Sequence, residues 1–232
     1  GEGDPTPAPT VLVHGLSSSH ACWTRVLPHW AEREGRVIAL DLPGFGGSDP
    51  VGEGYDVELV ADTMAAALTE VGAQRFDLVG HSLGGLLSTV LADRHPDRVR
   101  RLALVAAAGV DPMWSSHPAQ VAAMGGVADR LMRARRRYGP GLAARPRARV
   151  LMFSSVVADP ERLSADDARL LIACSQGARR TSEALASVMA TDLRPRLARL
   201  PMPVGAAWGT EDRLIAATAL DELHRVRPGS QV

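Results

Sequence analysis

The run Gly80-His81-Ser82-Leu83-Gly84-Gly85 joins a segment of β character, Phe76–Val79, to one of helical character that begins at Leu83. Ser82 stands at the joint, in the spacing Gly80-x-Ser82-x-Gly84 of a sharp strand-to-helix turn that holds a serine exposed and strained. Glycines on either side lack a Cβ, so strand and helix can approach closely around the turn. The start of the helix directs unpaired backbone N–H groups, and the positive end of its dipole, toward the space above Ser82. Such a setting suits a nucleophilic hydroxyl whose attack leaves negative charge where those N–H groups point. The five-residue pattern also occurs by chance in loops rich in glycine and serine, and its place between a β-type and an α-type run is what singles it out.

The elements that must position Ser82 are read from alternating periods. Gly1 to Pro9 is rich in Pro and Gly and reads as a loop, and Thr10-Val11-Leu12-Val13 is a short β-branched strand ending at His14-Gly15-Leu16. A serine loop and a helical stretch from about Trp23 to Glu34 follow, then a strand at Arg36–Leu40. The glycine-dense segment Asp41–Asp49 must be a tight loop; it lacks the Gly-Lys-Ser/Thr ending of a phosphate loop, which argues against nucleotide binding. Val57, Val60, Ala61, Met64, Leu68 and Val71 fall at helical spacing, with Asp56 placed to cap and Gly72 to stop the helix. Val99–Val105 and Pro203–Trp208 are further strands. Strands alternating with helices predict βαβ units in a mainly parallel sheet with helices on both faces, an α/β fold.

Between Gly109 and about Thr191 the strand signal disappears. Helical stretches are expected near Gln120–Arg137 and Ala165–Ala190, broken by Gly139-Pro140-Gly141, as an insertion or lid between two strands. The expected division is a first core part at 1–109, a helical lid at 110–191 and a second core part at 192–232. The run Arg133, Arg135, Arg136, Arg137 is read as a solvated helix face rather than an anion site, since no glycine or aromatic partner accompanies it.

Composition sets the bounds. The 232 residues are 46% hydrophobic and carry no net charge, enough for one sizeable core and with no bias toward nucleic acid or an anionic membrane. Every cation is arginine, and neither Lys nor Asn occurs, which points to codon bias rather than function. Two cysteines, Cys22 and Cys174, give neither a disulfide framework nor a metal cluster, so a cytoplasmic setting is expected. No apolar run approaches the length of a membrane span.

Four motifs in order carry a family resemblance: His14-Gly15, then Asp41-Leu42-Pro43-Gly44-Phe45-Gly46-Gly47-Ser48, the Ser82 turn, and Trp208-Gly209-Thr210-Glu211-Asp212. Together they resemble the α/β-hydrolase superfamily over almost the whole chain outside the lid. The resemblance implies the α/β-hydrolase fold, with Ser82 as nucleophile. It further implies an oxyanion hole from the backbone N–H groups of Leu16 and Leu83, and Asp212 as the acid of a Ser-acid-His triad. Asp212 can also be read as a helix cap before Arg213–Val226, and Asp111 is a lesser candidate for the acid. No cofactor is implied.

Chain order in this superfamily ends with the histidine, after one more strand. Ser230-Gln231-Val232 looks like the start of that strand, so the histidine is expected beyond Val232, and the chain reads as a fragment clipped at both ends. Of the seven histidines present, His224 sits mid-helix and reads as a surface residue, and His14 belongs to the oxyanion loop. His81 adjoins Ser82, but consecutive strand-end side chains are expected to point to opposite faces. His95 precedes a proline at a helix end, and His20, His29 and His117 lack catalytic spacing.

The expected function is a serine hydrolase of ester-like small molecules, acting through an acyl-enzyme on Ser82. Lactonases, carbon–carbon bond hydrolases and cofactor-free haloperoxidase-like enzymes share these motifs, and a non-catalytic ligand-binding protein of the same fold is the alternative from another class. The expected partner is a small-molecule substrate, with neither nucleic acid nor membrane.

Overall fold

The computed structural model describes residues 8–110 and 118–231, apart from the side chains of 34 and 118–129. Five strands form one wholly parallel sheet: β1 (Thr10–Val13), β2 (Val37–Leu40), β3 (Phe76–His81), β4 (Val99–Val105) and β5 (Val204–Ala207), in the order β2-β1-β3-β4-β5. The chain steps from β1 to β2 on one side, then crosses back to lay β3 on the other. The reversal falls between β1 and β3, and in open parallel sheets ligands bind at the carboxyl ends of the strands at such a switch point. Register places Val13 beside Gly80, so the loops carrying His14-Gly15-Leu16 and Ser82 leave the sheet side by side.

The helices follow from local chemistry. Helix α1 (Leu27–Glu34) starts on a proline in its first turn and follows a short 3₁₀ turn at His20–Trp23, where one continuous helix from Trp23 was expected. Helix α2 (Val57–Glu70) starts on Asp56, whose carboxylate accepts from the N–H groups of Glu58 (2.8 Å) and Leu59 (3.3 Å), a cap worth about 1 kcal/mol. Helix α3 (Leu83–Arg94) is buried from Leu83 through Ala92, as a helix apolar on all sides must be. It packs on β3 and β4 and against α2, and its Leu86, Leu87, Val90 and Leu91 lie in the main core with Val11, Leu78 and Leu104.

Helices α4 (Pro118–Leu142), α5 (Pro146–Phe153), α6 (Ala165–Cys174), α7 (Thr181–Ala190) and α8 (Arg194–Arg199) lie between β4 and β5. The expected break at Gly139-Pro140-Gly141 comes slightly later: α4 runs through all three residues and ends at Leu142. Proline removes one helical N–H and crowds the carbonyl four residues earlier. Here that carbonyl, of Arg136, accepts instead from the Gln176 side chain at 3.5 Å. A further break, not expected, falls at Ser175–Arg180, so the stretch Ala165–Ala190 is two helices. Ala143, Phe153, Ala168 and Ile172 form a small hydrophobic cluster apart from the main core. The arginine run is not uniformly solvated: the Arg135 guanidinium lies over the Phe153 ring at 5.0 Å, and Arg136 donates to the carbonyls of Ser175 and Ala178. Returning to the sheet, Arg196 and Arg199 of α8 reach Asp93 of α3 at 2.7 and 2.6 Å, and Arg196 also reaches Glu58 of α2. After α9 (Ala219–Val226), Gln231 makes a single parallel bridge to Gly205 of β5.

Candidate active site

Ser82 adopts φ 53° and ψ −118°, a left-handed conformation that a residue with a Cβ rarely takes and that costs on the order of 1–3 kcal/mol. The surrounding backbone holds it there. Its N–H donates to the Val105 carbonyl at 3.0 Å, and its own carbonyl accepts from Gly85, Leu86 and Ala108 at 2.9, 3.2 and 3.1 Å. The turn admits no side chain at Gly84, where a Cβ would stand 2.3 Å from the Val13 carbonyl oxygen. Leu83 is the first residue of α3, so its N–H has no acceptor within the helix.

The facing loop is set by His14, which is fully buried. Its Nε2 accepts from the Leu42 N–H at 3.0 Å, which leaves the proton on Nδ1, and Nδ1–H donates to the Gly15 carbonyl at 2.8 Å. A trans peptide points its C=O and N–H in opposite directions. Tying down the Gly15 carbonyl therefore restrains the Leu16 N–H across the same peptide. A Cβ on Gly15 would lie 3.1 Å from Ser82 Cβ and 2.9 Å from His81 Nδ1. His81 and Ser82 thus flank the same glycine, against the expectation of opposite faces. The left-handed turn at Ser82 breaks the strand alternation on which that expectation rested.

Burial pushes the His14 pKa down to about 4, against the pull of its bond to Gly15 and of Asp41. In the unfolded chain His14 binds its proton near pH 6.5, so its contribution is complete above that pH and is lost as pH falls toward 4. The difference corresponds to about 3 kcal/mol. Urea unfolding of the wild type should show this fall between pH 7 and 4. His14→Gln should be weaker at pH 7 and flatter over that range; an equal slope in both proteins would refute the assignment. The depressed carboxylates, such as Asp62 at about 2 beside Arg94, act at lower pH.

Asp41 clamps the glycine-rich loop. One carboxylate oxygen accepts from both the N–H (2.6 Å) and Nδ1 (2.9 Å) of His20, and the other accepts from the Gly47 N–H at 2.8 Å. Burial raises its pKa, but these bonds outweigh it and the net shift is downward. Gly46, at φ 54°, has Asp41 carboxylate atoms 2.2–2.4 Å from where a Cβ would be, so no other residue fits. The insertion rests on both loops. The Arg179 N–H donates to the Gly44 carbonyl at 2.8 Å, and its guanidinium donates to the Ser48 carbonyl at 2.6 Å. The hydroxyls of Ser17 and Thr181, both buried, are hydrogen-bonded at 2.8 Å. Ser17 also has a positive φ, 53°. Neither Thr181 nor His14 was assigned a site role from sequence. Thr181 bonds to a residue 164 positions away, and no local pattern announces such a pair.

Asp212 lies in the turn between β5 and α9. Its Oδ1 accepts from the N–H groups of Leu214 (2.8 Å) and Ile215 (2.9 Å), which caps a turn and not a helix, since α9 begins only at Ala219 and not at the expected Arg213. Among the described residues no hydrogen bond reaches Oδ2. Removal of the His81 ring from water lowers its pKa, and the nearby Asp212 carboxylate raises it by less. His224 is exposed in α9 and its Nε2 donates to the Ser230 carbonyl at 3.3 Å. Among the described residues, no histidine hydrogen-bonds to the Ser82 hydroxyl. Asp111 and His117 lie outside the described residues. The described residues contain no cluster of His, Cys, Asp and Glu that could hold a metal, and no helix long and apolar enough to cross a membrane. A cleft on one sheet face, lined by Thr10, Trp30, Leu78, Leu102 and Val226, includes neither Ser82 nor Asp212.

Residues 9–232 match the family model described as the alpha/beta hydrolase fold. A 2-hydroxy-6-oxo-2,4-heptadienoate hydrolase of Pseudomonas putida is 42% identical over 122 residues, which cover 47% of this chain and 44% of that protein. The chain thus spans less than half the length of that relative. A putative carbamate hydrolase, RutD, of Escherichia coli O157:H7 is 30% identical over 227 residues, covering 95% of this chain and 80% of that one. The crystal structure of a hydrolase from Pseudomonas aeruginosa superimposes with a TM-score of 0.70 at 23% identity, covering 99% of this chain and 82% of that chain.

Proposed function

Because the chain belongs to the α/β-hydrolase fold family, we propose that it is a serine hydrolase that attacks ester-like small molecules through a covalent acyl-enzyme on Ser82. The observation that carries this reading is Ser82 itself, held left-handed at the switch point of the sheet beside Gly15. Strain kept at a serine in that place is well matched to a nucleophile.

The chemistry then runs in two halves. Ser82 Oγ bonds to the substrate carbonyl carbon and gives its proton to a histidine base, which the free Oδ2 of Asp212 orients. The carbonyl π electrons move to oxygen, and the oxyanion accepts from the N–H groups of Leu16 and Leu83. Collapse expels the alcohol, which takes the proton, and leaves an ester on Ser82. Water repeats the sequence and releases the acid. The proposal extends to a cytoplasmic protein whose partner is its small-molecule substrate.

A second reading has one observation in its favour. The substrate in the name of the 42% identical relative contains neither ester nor amide, so its hydrolysis must break a carbon–carbon bond beside a ketone. The two readings share Ser82 and differ in the bond broken.

Incubation of the full-length protein with p-nitrophenyl acetate should release p-nitrophenolate. Acid-quenched samples should carry an acetyl group on the peptide containing Ser82. Cleavage of a 2-hydroxy-6-oxo-dienoate with no ester turnover would favour the second reading. Tight binding of either compound without turnover would make the protein a ligand-binding member of the fold.

A further inference from the structure

We propose that Thr181 is a positioning residue that completes the oxyanion hole, so that the hole is fully formed only while the helical insertion is seated on the core. The inference rests on the serine hydrolase reading above and adds a coupling between two parts of the molecule.

The Leu16 N–H belongs to the Gly15–Leu16 peptide, whose placement is restrained from both ends. On one side, His14 holds the Gly15 carbonyl at 2.8 Å. On the other, Ser17 sits at φ 53°, outside the regions a residue with a Cβ prefers. The His14 tie lies wholly within the core. The Ser17 tie does not: its hydroxyl bonds at 2.8 Å to the hydroxyl of Thr181, the first residue of α7 in the insertion. Both residues are buried, so a lost partner leaves a hydroxyl with little access to water.

The segment before Thr181 shares the same seat. Gly177 packs so closely on Gly46 that a Cβ there would stand 2.1 Å from the Gly46 carbonyl oxygen, and the Arg179 N–H donates to Gly44. Residues 177–181 therefore span the glycine-rich loop and the oxyanion loop as one piece. Moving that piece away to admit a substrate breaks the Ser17–Thr181 bond and removes the support for the left-handed backbone next to Leu16. Seating it again restores the support, so closure over a substrate and formation of the hole become one event.

The test compares Thr181→Val, which keeps the shape and removes the hydroxyl, with Thr181→Ser, which keeps the hydroxyl. Removing an oxyanion donor outright costs about 10²–10³-fold in kcat, and loosening one by this route is expected to cost about tenfold or more. On p-nitrophenyl acetate, Thr181→Val should lower kcat by that factor with KM little changed. It should weaken inhibition by phenylboronic acid, which forms a tetrahedral adduct, by a similar factor, and Thr181→Ser should restore both. Combining Ser17→Ala with Thr181→Val should be no worse than either alone, since both delete the same bond. The Leu16 amide resonance should shift in Thr181→Val and not in Thr181→Ser, a readout independent of turnover. Wild-type kcat, boronate affinity and Leu16 resonance in Thr181→Val would overturn the proposal. Equal losses in kcat and boronate affinity for Thr181→Ser, or additive losses in the double variant, would also overturn it. If the wild type hydrolyses no substrate while the Leu16 resonance responds as expected, the hydrolase reading fails and the coupling stands.

Discussion

Ser82→Ala should lower kcat on short-chain p-nitrophenyl esters by about 10⁶-fold, the loss seen when a serine protease is deprived of its nucleophile. Labelling by a fluorophosphonate probe, which should place one group on Ser82 of the wild type, should vanish. Alanine keeps the Cβ and carries the same left-handed strain, and the backbone bonds from Ser82 to Val105, Gly85, Leu86 and Ala108 do not involve the hydroxyl. The variant should therefore fold and unfold like the wild type, which separates loss of chemistry from loss of structure. Turnover near the wild-type rate in the alanine variant would remove Ser82 from the mechanism.

Asp212→Asn should lower kcat by about 10⁴-fold on the same esters, because an amide cannot hold a histidine in its working tautomer. The geometry makes this substitution unusually clean. Asparagine retains an oxygen to accept from the Leu214 and Ile215 N–H groups, so the turn keeps its cap. Only the second oxygen is exchanged, for an amide nitrogen that donates where an acceptor is required. Thermal melting should be nearly unchanged while turnover collapses. A larger loss from Asp111→Asn would move the acid to Asp111.

What the sequence made legible was whatever is local. The switch from period two to helical period around Ser82, the cap at Asp56 and the glycine-dense loop after β2 each follow from neighbours within a few positions, and each element appears where its pattern places it. Asp212 was legible as a local acceptor of backbone N–H groups, but the helix expected from Arg213 begins only at Ala219. What stayed hidden depends on partners far along the chain. The Gln176 side chain donates to the carbonyl that Pro140 frees, so the helix runs through Pro140 and ends only at Leu142. Phe153 draws in Arg135, and the carbonyls of Ser175 and Ala178 draw in Arg136, although the run containing them has the look of a solvated face. His81 was misplaced for another reason: alternation along a strand holds only while the strand does, and it ends at Ser82. His14 was recognised as part of a loop, but its role lies in a tautomer set by the Leu42 N–H, 28 residues away.

The separate cluster of Ala143, Phe153, Ala168 and Ile172 bears on how such a protein can diversify. Substitutions around it alter the insertion without disturbing the packing of β1, β3 and α3, on which the nucleophile turn depends. The chemistry proposed for Ser82, meanwhile, leans on main-chain groups and on glycines that tolerate no side chain, features that drift in surface residues leaves intact. New substrate preferences can therefore accumulate in one layer of the molecule while the proposed reaction is left unchanged in the other. The seat of residues 177–181 joins the two layers, and substitutions there should be tolerated less readily than those around the separate cluster.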